Sequence, residues 1–142
     1  MPKKLEHIGI AVKDLDASEE LFTQLLGVKP YKREAVESEG VITSFFALGD
    51  VKFELLAATN PDSPIAKFID KKGEGIHHLA FECSNIRHEL LEKSEMGFQL
   101  IHQTPKDGAD NKEIAFLHPK STNGVLTEFC QEKLTPVDHK TQ

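Results

Sequence analysis

The stretch Leu5-Glu6-His7-Ile8-Gly9-Ile10-Ala11-Val12 decides how this chain folds, because it returns in phase 71 residues later as Ile76-His77-His78-Leu79-Ala80-Phe81-Glu82-Cys83. Each run is short, β-rich and bounded by polar residues, so each reads as a strand. A helix is expected after both. Asp14 and Asp16 offer N-caps to the first, with Asp16 and Glu19 spaced as a capping box. Leu15, Leu21, Phe22, Leu25 and Leu26 then fall at helical spacing, and Gly27 supplies a stop. After the second run, Ser84 and Asn85 are the caps, Ile86, Leu90 and Leu91 the stripe, and Gly97 the stop. The offsets agree: His7 to Asp14 and His78 to Asn85 are both seven residues, while His7 to Gly27 is twenty and His78 to Gly97 nineteen.

Each half also ends in a hairpin. Phe45–Leu48 turns through Gly49-Asp50 into Val51–Leu56, and Ile114–Leu117 turns through Pro119–Gly124 into Val125–Phe129. The second turn is four residues longer, a change that hairpin tips tolerate. The expected architecture is α+β: two tandem βαβββ modules. They span about 4–60 and 75–131 within one domain of residues 4–131. Asp62-Ser63-Pro64 is a cap followed by a first-turn proline, and so starts a linker helix over about 63–72 that ends at Gly73. Residues 132–142 are polar and aperiodic, and are expected to be a flexible tail.

The bulk properties narrow the class. A chain of 142 residues buries roughly 68% of its unfolded surface and needs no metal or disulfide to hold a core. A metal here would serve chemistry. The net charge of −6 argues against nucleic acid, which favours a basic partner. No apolar run approaches the roughly 20 residues that span a bilayer. The first strand begins by Leu5, leaving no room for a targeting segment ahead of it. Cys83 and Cys130 form no C-x-x-C pair, which suits a reducing compartment. A cytoplasmic protein is expected.

Strand alternation selects candidate ligands. Ile8, Ile10 and Val12 share the face that packs on the helix, and His7, Gly9 and Ala11 share the other. In the second copy His77, Leu79, Phe81 and Cys83 match the helix-facing set, and His78, Ala80 and Glu82 match the set containing His7. Glu54 and Glu128 sit at matching places in the closing hairpins, each among apolar neighbours, where an unpaired carboxylate is costly to bury. Singly, a strand His is more often a hydrogen-bonded structural residue and a strand Glu more often faces solvent. One His and one Glu at equivalent places in both halves favour a shared site. Two imidazoles and two carboxylates suit a divalent ion such as Co, Zn, Mn, Ni, Fe or Mg. An octahedral ion would keep two positions open for a bidentate substrate. His88, His102, His118 and His139 lack this pairing and are read as surface or loop residues.

Several phrases carry a resemblance: His7-Ile-Gly-Ile-Ala-Val12, Phe53-Glu-Leu-Leu56, Ser63-Pro-Ile-Ala66, Gly73-Glu-Gly-Ile-His-His-Leu-Ala-Phe81, and Phe116-Leu-His-Pro-Lys120 through Gly124-Val-Leu-Thr-Glu128. Together they resemble the vicinal oxygen chelate (glyoxalase/bleomycin resistance/dioxygenase) superfamily and, within it, the methylmalonyl-CoA epimerases. The resemblance implies the vicinal oxygen chelate fold, in which the two tandem modules form an open, cup-like barrel around a metal site, with metal ligands at His7, Glu54, His78 and Glu128, an acyl-CoA substrate, and a homodimer. It implies interconversion of (2R)- and (2S)-methylmalonyl-CoA through an enolate, with Glu128 as the first proton carrier and Glu54 or a metal-bound water as the second. Some members place a further Glu on the strand after the first helix; here Thr43 stands near that place. Lys120 is expected to meet the substrate carboxylate or a CoA phosphate. The alternatives are a glyoxalase I-type lactoylglutathione lyase and a non-catalytic small-molecule binding protein on the same fold.

Overall fold

The computed structural model describes residues 1–133. The first half comprises β1 (Pro2–Ala11), α1 (Leu15–Leu26), β2 (Lys32–Val36), a 3-10 turn over Glu37–Glu39, β3 (Val41–Leu48) and β4 (Val51–Ala58). Helix α2 (Pro64–Lys72) leads to the second half: β5 (Gly75–Cys83), α3 (Ile86–Glu95), the two-residue β6 (Lys106–Asp107), β7 (Lys112–Leu117), a 3-10 turn over Pro119–Ser121 and β8 (Thr127–Glu132). The eight strands among the described residues join one sheet in the order β2-β3-β4-β1-β5-β8-β7-β6. The halves therefore meet at the antiparallel pair β1–β5, and each half closes with a parallel pair, β1–β4 and β5–β8. The sheet curls into the expected half-barrel.

Helices α1 and α3 cover the outer face, while α2 packs against Ala11 and Leu56 on the inner side. Leu15 of α1 packs with Val12, Phe46, Leu55 and Ala57, and Phe22 and Leu26 add to that cluster. Ile86 and Leu90 of α3 pack with Cys83, Ala115, Leu117 and Phe129. The alternation of β1 and β4 thus sends apolar residues outward to the helices and leaves the other face to the cavity.

The helix ends follow local chemistry. Asp14 caps α1 by accepting from the Ala17 amide at 3.0 Å, and Gly27 ends it at φ 73° with its N–H donating to the Thr23 carbonyl. The expected Asp16–Glu19 capping box does not form, because the helix begins at Leu15 and Asp16 lies inside its first turn, with Asp14 as the cap. Both carboxylates instead pair with the Arg33 guanidinium of β2, at 2.5 Å and 2.6 Å. Ser63 caps α2 with Pro64 in its first turn, and Asn85 caps α3. The boundary read at residue 132 also moves, because Glu132 completes β8 and the Lys133 amide donates to the Asn111 carbonyl at 3.0 Å. The rest of the expected tail, with His139, lies outside the described residues.

The β6–β7 hairpin of the second half reaches across to the first. Asp110 accepts from the Tyr31 hydroxyl at 2.9 Å and Lys52 at 3.1 Å, and pairs with Lys32 at 2.8 Å. Its own amide donates to Glu34 at 3.0 Å. Lys106 pairs with Glu39. These contacts clamp the two halves on the cavity side of the sheet.

Candidate metal centre

The strand register builds the site twice. Gly9 lies across from Glu54 on β4, and Ala80 lies across from Glu128 on β8. Each carboxylate therefore stands opposite the residue two places after its half's histidine. Across the seam, His7 faces Ala80 and Gly9 faces His78. Gly9 has no Cβ because the His78 ring occupies its place: a Cβ there would lie 2.5 Å from His78 Nδ1 and 2.9 Å from Nε2. Sequence repeat has become near-twofold geometry.

Three of the four expected ligands converge. His7 Nε2 and His78 Nε2 are 3.1 Å apart. Glu128 places one oxygen 3.2 Å from His78 Nε2 and the other 3.6 Å from His7 Nε2. These three donor atoms lie within 4.8 Å of one another on buried residues. Glu54, also buried, is nearest to the other nitrogen of His7, at 3.1 Å from Nδ1. It stands beside the three-ligand cluster.

Two residues that strand alternation missed complete the site. Glu6 is buried, with Oε1 2.6 Å from His7 Nδ1 and Oε2 2.9 Å from Lys52 Nζ. His77 does not join the helix-facing set; its Nδ1 is 3.0 Å from His78 Nδ1, and its ring is edge-on to Phe68. Both sit at β-bulges, which shift the alternation by one residue. A polar residue before each ligand histidine, at matching places of the repeat, was the available signal.

The site's electrostatics call for positive charge. Burial raises the Glu54 carboxyl and so does the neighbouring Glu128, against the pull of His7, leaving it at about 7. Burial also raises Glu128, but His7 and His78 outweigh it and bring it to about 2. Burial lowers His7, and the carboxylates of Glu128 and Glu54 overcome this and carry it well above the ordinary imidazole range. His77 is brought down to about 4 by burial and by His78. A proton can supply positive charge only at one ring nitrogen. A divalent cation among the Nε2 atoms and Glu128 supplies it to every donor at once, so the donor set fits a metal.

The cluster opens into a cavity of about 140 Å³ lined by His7, Glu54, His78 and Glu128, with Thr43, Val41, Leu56 and Phe116 as its walls. Glu39, Asp107 and Lys112 also line it. Thr43 is therefore at the site, whereas Lys120 is exposed on the turn before β8 and is not among the lining residues. His88 is exposed, His102 accepts from the Phe116 amide, and His118 caps the turn over Pro119–Ser121.

A half-barrel of two βαβββ units with a His, His, Glu cluster on its seam defines a class. A profile of the Glyoxalase/Bleomycin resistance protein/Dioxygenase superfamily matches residues 6–116, and the chain belongs to that superfamily. Within it the likeness is to epimerases. The chain is 36% identical to the human mitochondrial methylmalonyl-CoA epimerase over 90% of its own length and 73% of that protein. It is 36% identical to an ethylmalonyl-CoA/methylmalonyl-CoA epimerase of Cereibacter sphaeroides, over 90% of this chain and 97% of that one. A solved methylmalonyl-CoA epimerase of Streptomyces coelicolor, in complex with 2-nitronate-propionyl-CoA, superposes with a TM-score of 0.90 at 31% identity, covering 95% of this chain and 98% of that one.

Proposed function

We propose that this protein is a metal-dependent epimerase that interconverts the (2R) and (2S) forms of methylmalonyl-CoA. The observation that carries the reading is the convergence of His7 Nε2, His78 Nε2 and Glu128 on one point of a buried cavity, with Glu54 beside them. The similarity to named epimerases over most of the chain supports the substrate class.

Held by His7, His78 and Glu128, with Glu54 as a fourth neighbour, a divalent ion would supply Lewis acidity to the thioester and carboxylate oxygens that flank C2. Co, Zn, Mn, Ni and Mg all suit the mixed nitrogen and oxygen set. The chain's own residues handle the proton. Glu54 lines the cavity beside the three-ligand cluster rather than within it, and so is the carboxylate free to take the C2 proton. Glu128, which contacts both imidazoles, serves as a ligand and is the second candidate to carry that proton. Thr43 packs against the acyl group, and Lys120 meets the outer part of the CoA. The reading includes a homodimer in a reducing cytoplasm, in keeping with two free, buried cysteines.

The test is exchange of the C2 hydrogen of methylmalonyl-CoA in heavy water, with and without chelator. Rapid, chelator-sensitive exchange accompanied by inversion is the expected result. Metal-loaded protein that exchanges nothing, yet turns over methylglyoxal with glutathione, would replace the epimerase with a lactoylglutathione lyase.

A further inference from the structure

Glu6 and His77 lie outside the ligand set, yet both are tied to it. They occupy the same place in the two halves, each directly before a cluster histidine. Each is also the extra residue of a β-bulge in the central strand pair. The register runs Leu5 to Phe81 and then His7 to Ala80, so β1 advances two residues while β5 advances one. It later runs Gly9 to His78 and then Ile10 to Ile76, so the additional residue is now His77 of β5. A bulge re-aims a side chain that simple alternation would send to the opposite face. A third shift, between Pro2 and Lys4 near the start of β1, lies away from the cluster; the two at Glu6 and His77 flank it.

Their result is a partner behind each ligand ring, 2.6 Å from Nδ1 of His7, closer than Glu54 at 3.1 Å, and 3.0 Å from Nδ1 of His78. Glu6 is braced in turn by Lys52 at 2.9 Å and Lys112 at 3.9 Å, and Lys52 is anchored to Asp110. A carboxylate ion-paired to Lys52 only accepts, so the proton between Glu6 and His7 belongs to the ring. A ring that donates from Nδ1 offers the lone pair of Nε2 to a metal. Nε2 is the atom each ring turns toward the other and toward Glu128. Glu6, His7 and Cys130 could themselves hold an ion, but the two ammonium groups beside Glu6 oppose a second cation there.

We infer that Glu6 and His77 are positioning residues that fix the tautomer and orientation of His7 and His78 so that both present Nε2 to the cation, with the charge of Glu6 making His7 the stronger donor. The inference rests on the metal reading above. Wild-type protein that takes up no zinc would overturn both; the outcomes below, in zinc-binding wild type, overturn this inference alone.

The experiment is zinc affinity by chelator competition, joined to nitrogen-15 NMR of the zinc-loaded protein. In the wild type both ligand rings should show a protonated Nδ1 and a metal-shifted Nε2. Glu6→Gln keeps an acceptor without the charge and should bind zinc about 10-fold more weakly with the same NMR pattern. Glu6→Leu should lose about 10- to 100-fold. His77→Phe keeps the ring shape without the Nδ1 acceptor; it should lose about 10-fold and leave Glu6 and its lysines undisturbed, so it answers the question if Glu6→Leu folds poorly. Zinc bound through Nδ1 in the wild type, or wild-type affinity in both Glu6→Gln and His77→Phe with only thermal stability reduced, would overturn the inference.

Discussion

Replacing Gly9 with alanine adds one methyl group and should cost the protein its metal. Gly9 is not among the glycines with positive φ, so the backbone accepts alanine without strain. The cost comes from the His78 ring. The new Cβ would stand 2.5 Å from His78 Nδ1 where ordinary contact begins at 3.4 Å, and closer still to Cε1. Ring or strand must therefore retreat by about 1 Å, a displacement that at a reacting centre costs about 100-fold, or about 2.7 kcal/mol. Forcing a methyl into a packed place also destabilises by about 1–3 kcal/mol. The expected outcome for Gly9→Ala is a folded protein with a modestly lowered Tm, zinc or cobalt affinity reduced about 100-fold, and C2 exchange reduced by at least as much. The matched control is Ala80→Gly, at the place facing His7, which removes a methyl and should leave metal affinity near wild type. Wild-type affinity in Gly9→Ala would refute the close approach of His78 to β1, and with it the geometry of the cluster.

His78→Ala and Glu128→Ala should each abolish stoichiometric metal uptake measured by elemental analysis, while Glu54→Gln should retain the ion and lose C2 exchange. Asp110 is raised by burial but lowered further by Lys32, Tyr31 and Lys52, from 3.8 to about 2. Its stabilising contribution, about 2 kcal/mol, is therefore complete above about pH 4 and lost as pH falls through about 2. Asp110→Asn should be less stable than wild type at neutral pH, with the gap closing across that acid range in urea titrations. Phe46→Ala removes a fully buried ring beneath α1 and should cost about 3–5 kcal/mol in the same assay. Thr43→Glu places an acid on the cavity wall and should raise inversion relative to exchange, read from the stereochemistry of deuterated product.

The repeat made the fold legible, because two strands and two helices with matching offsets leave few ways to arrange the halves. The candidate cluster was partly legible for the same reason: alternation put His7 and His78 on the inner face, and equivalence pointed to Glu128, which joins them, and to Glu54, which stands beside them. Alternation could not reveal Glu6 and His77, since a bulge changes the phase of a strand without marking the sequence. Asp110 and Lys52 were hidden for another reason. Their contact joins places 58 residues apart, and nothing local in either stretch predicts it. The capping box failed because the helix begins two residues earlier than a cap at Asp16 requires, with Asp14 in that place.

The β1–β5 seam gives the site a second consequence. Each half supplies one histidine at the seam, and Glu128 of the second half reaches the histidine of the first. An ion held there is bonded to both halves, so parting them means giving it up. Bound only by the assembled state, it would add about 2.7 kcal/mol of stability at a free concentration 100 times its dissociation constant. The atom that activates the substrate would thus also act as a rivet, and a chelator should loosen the joint between the two repeats as well as silence the chemistry.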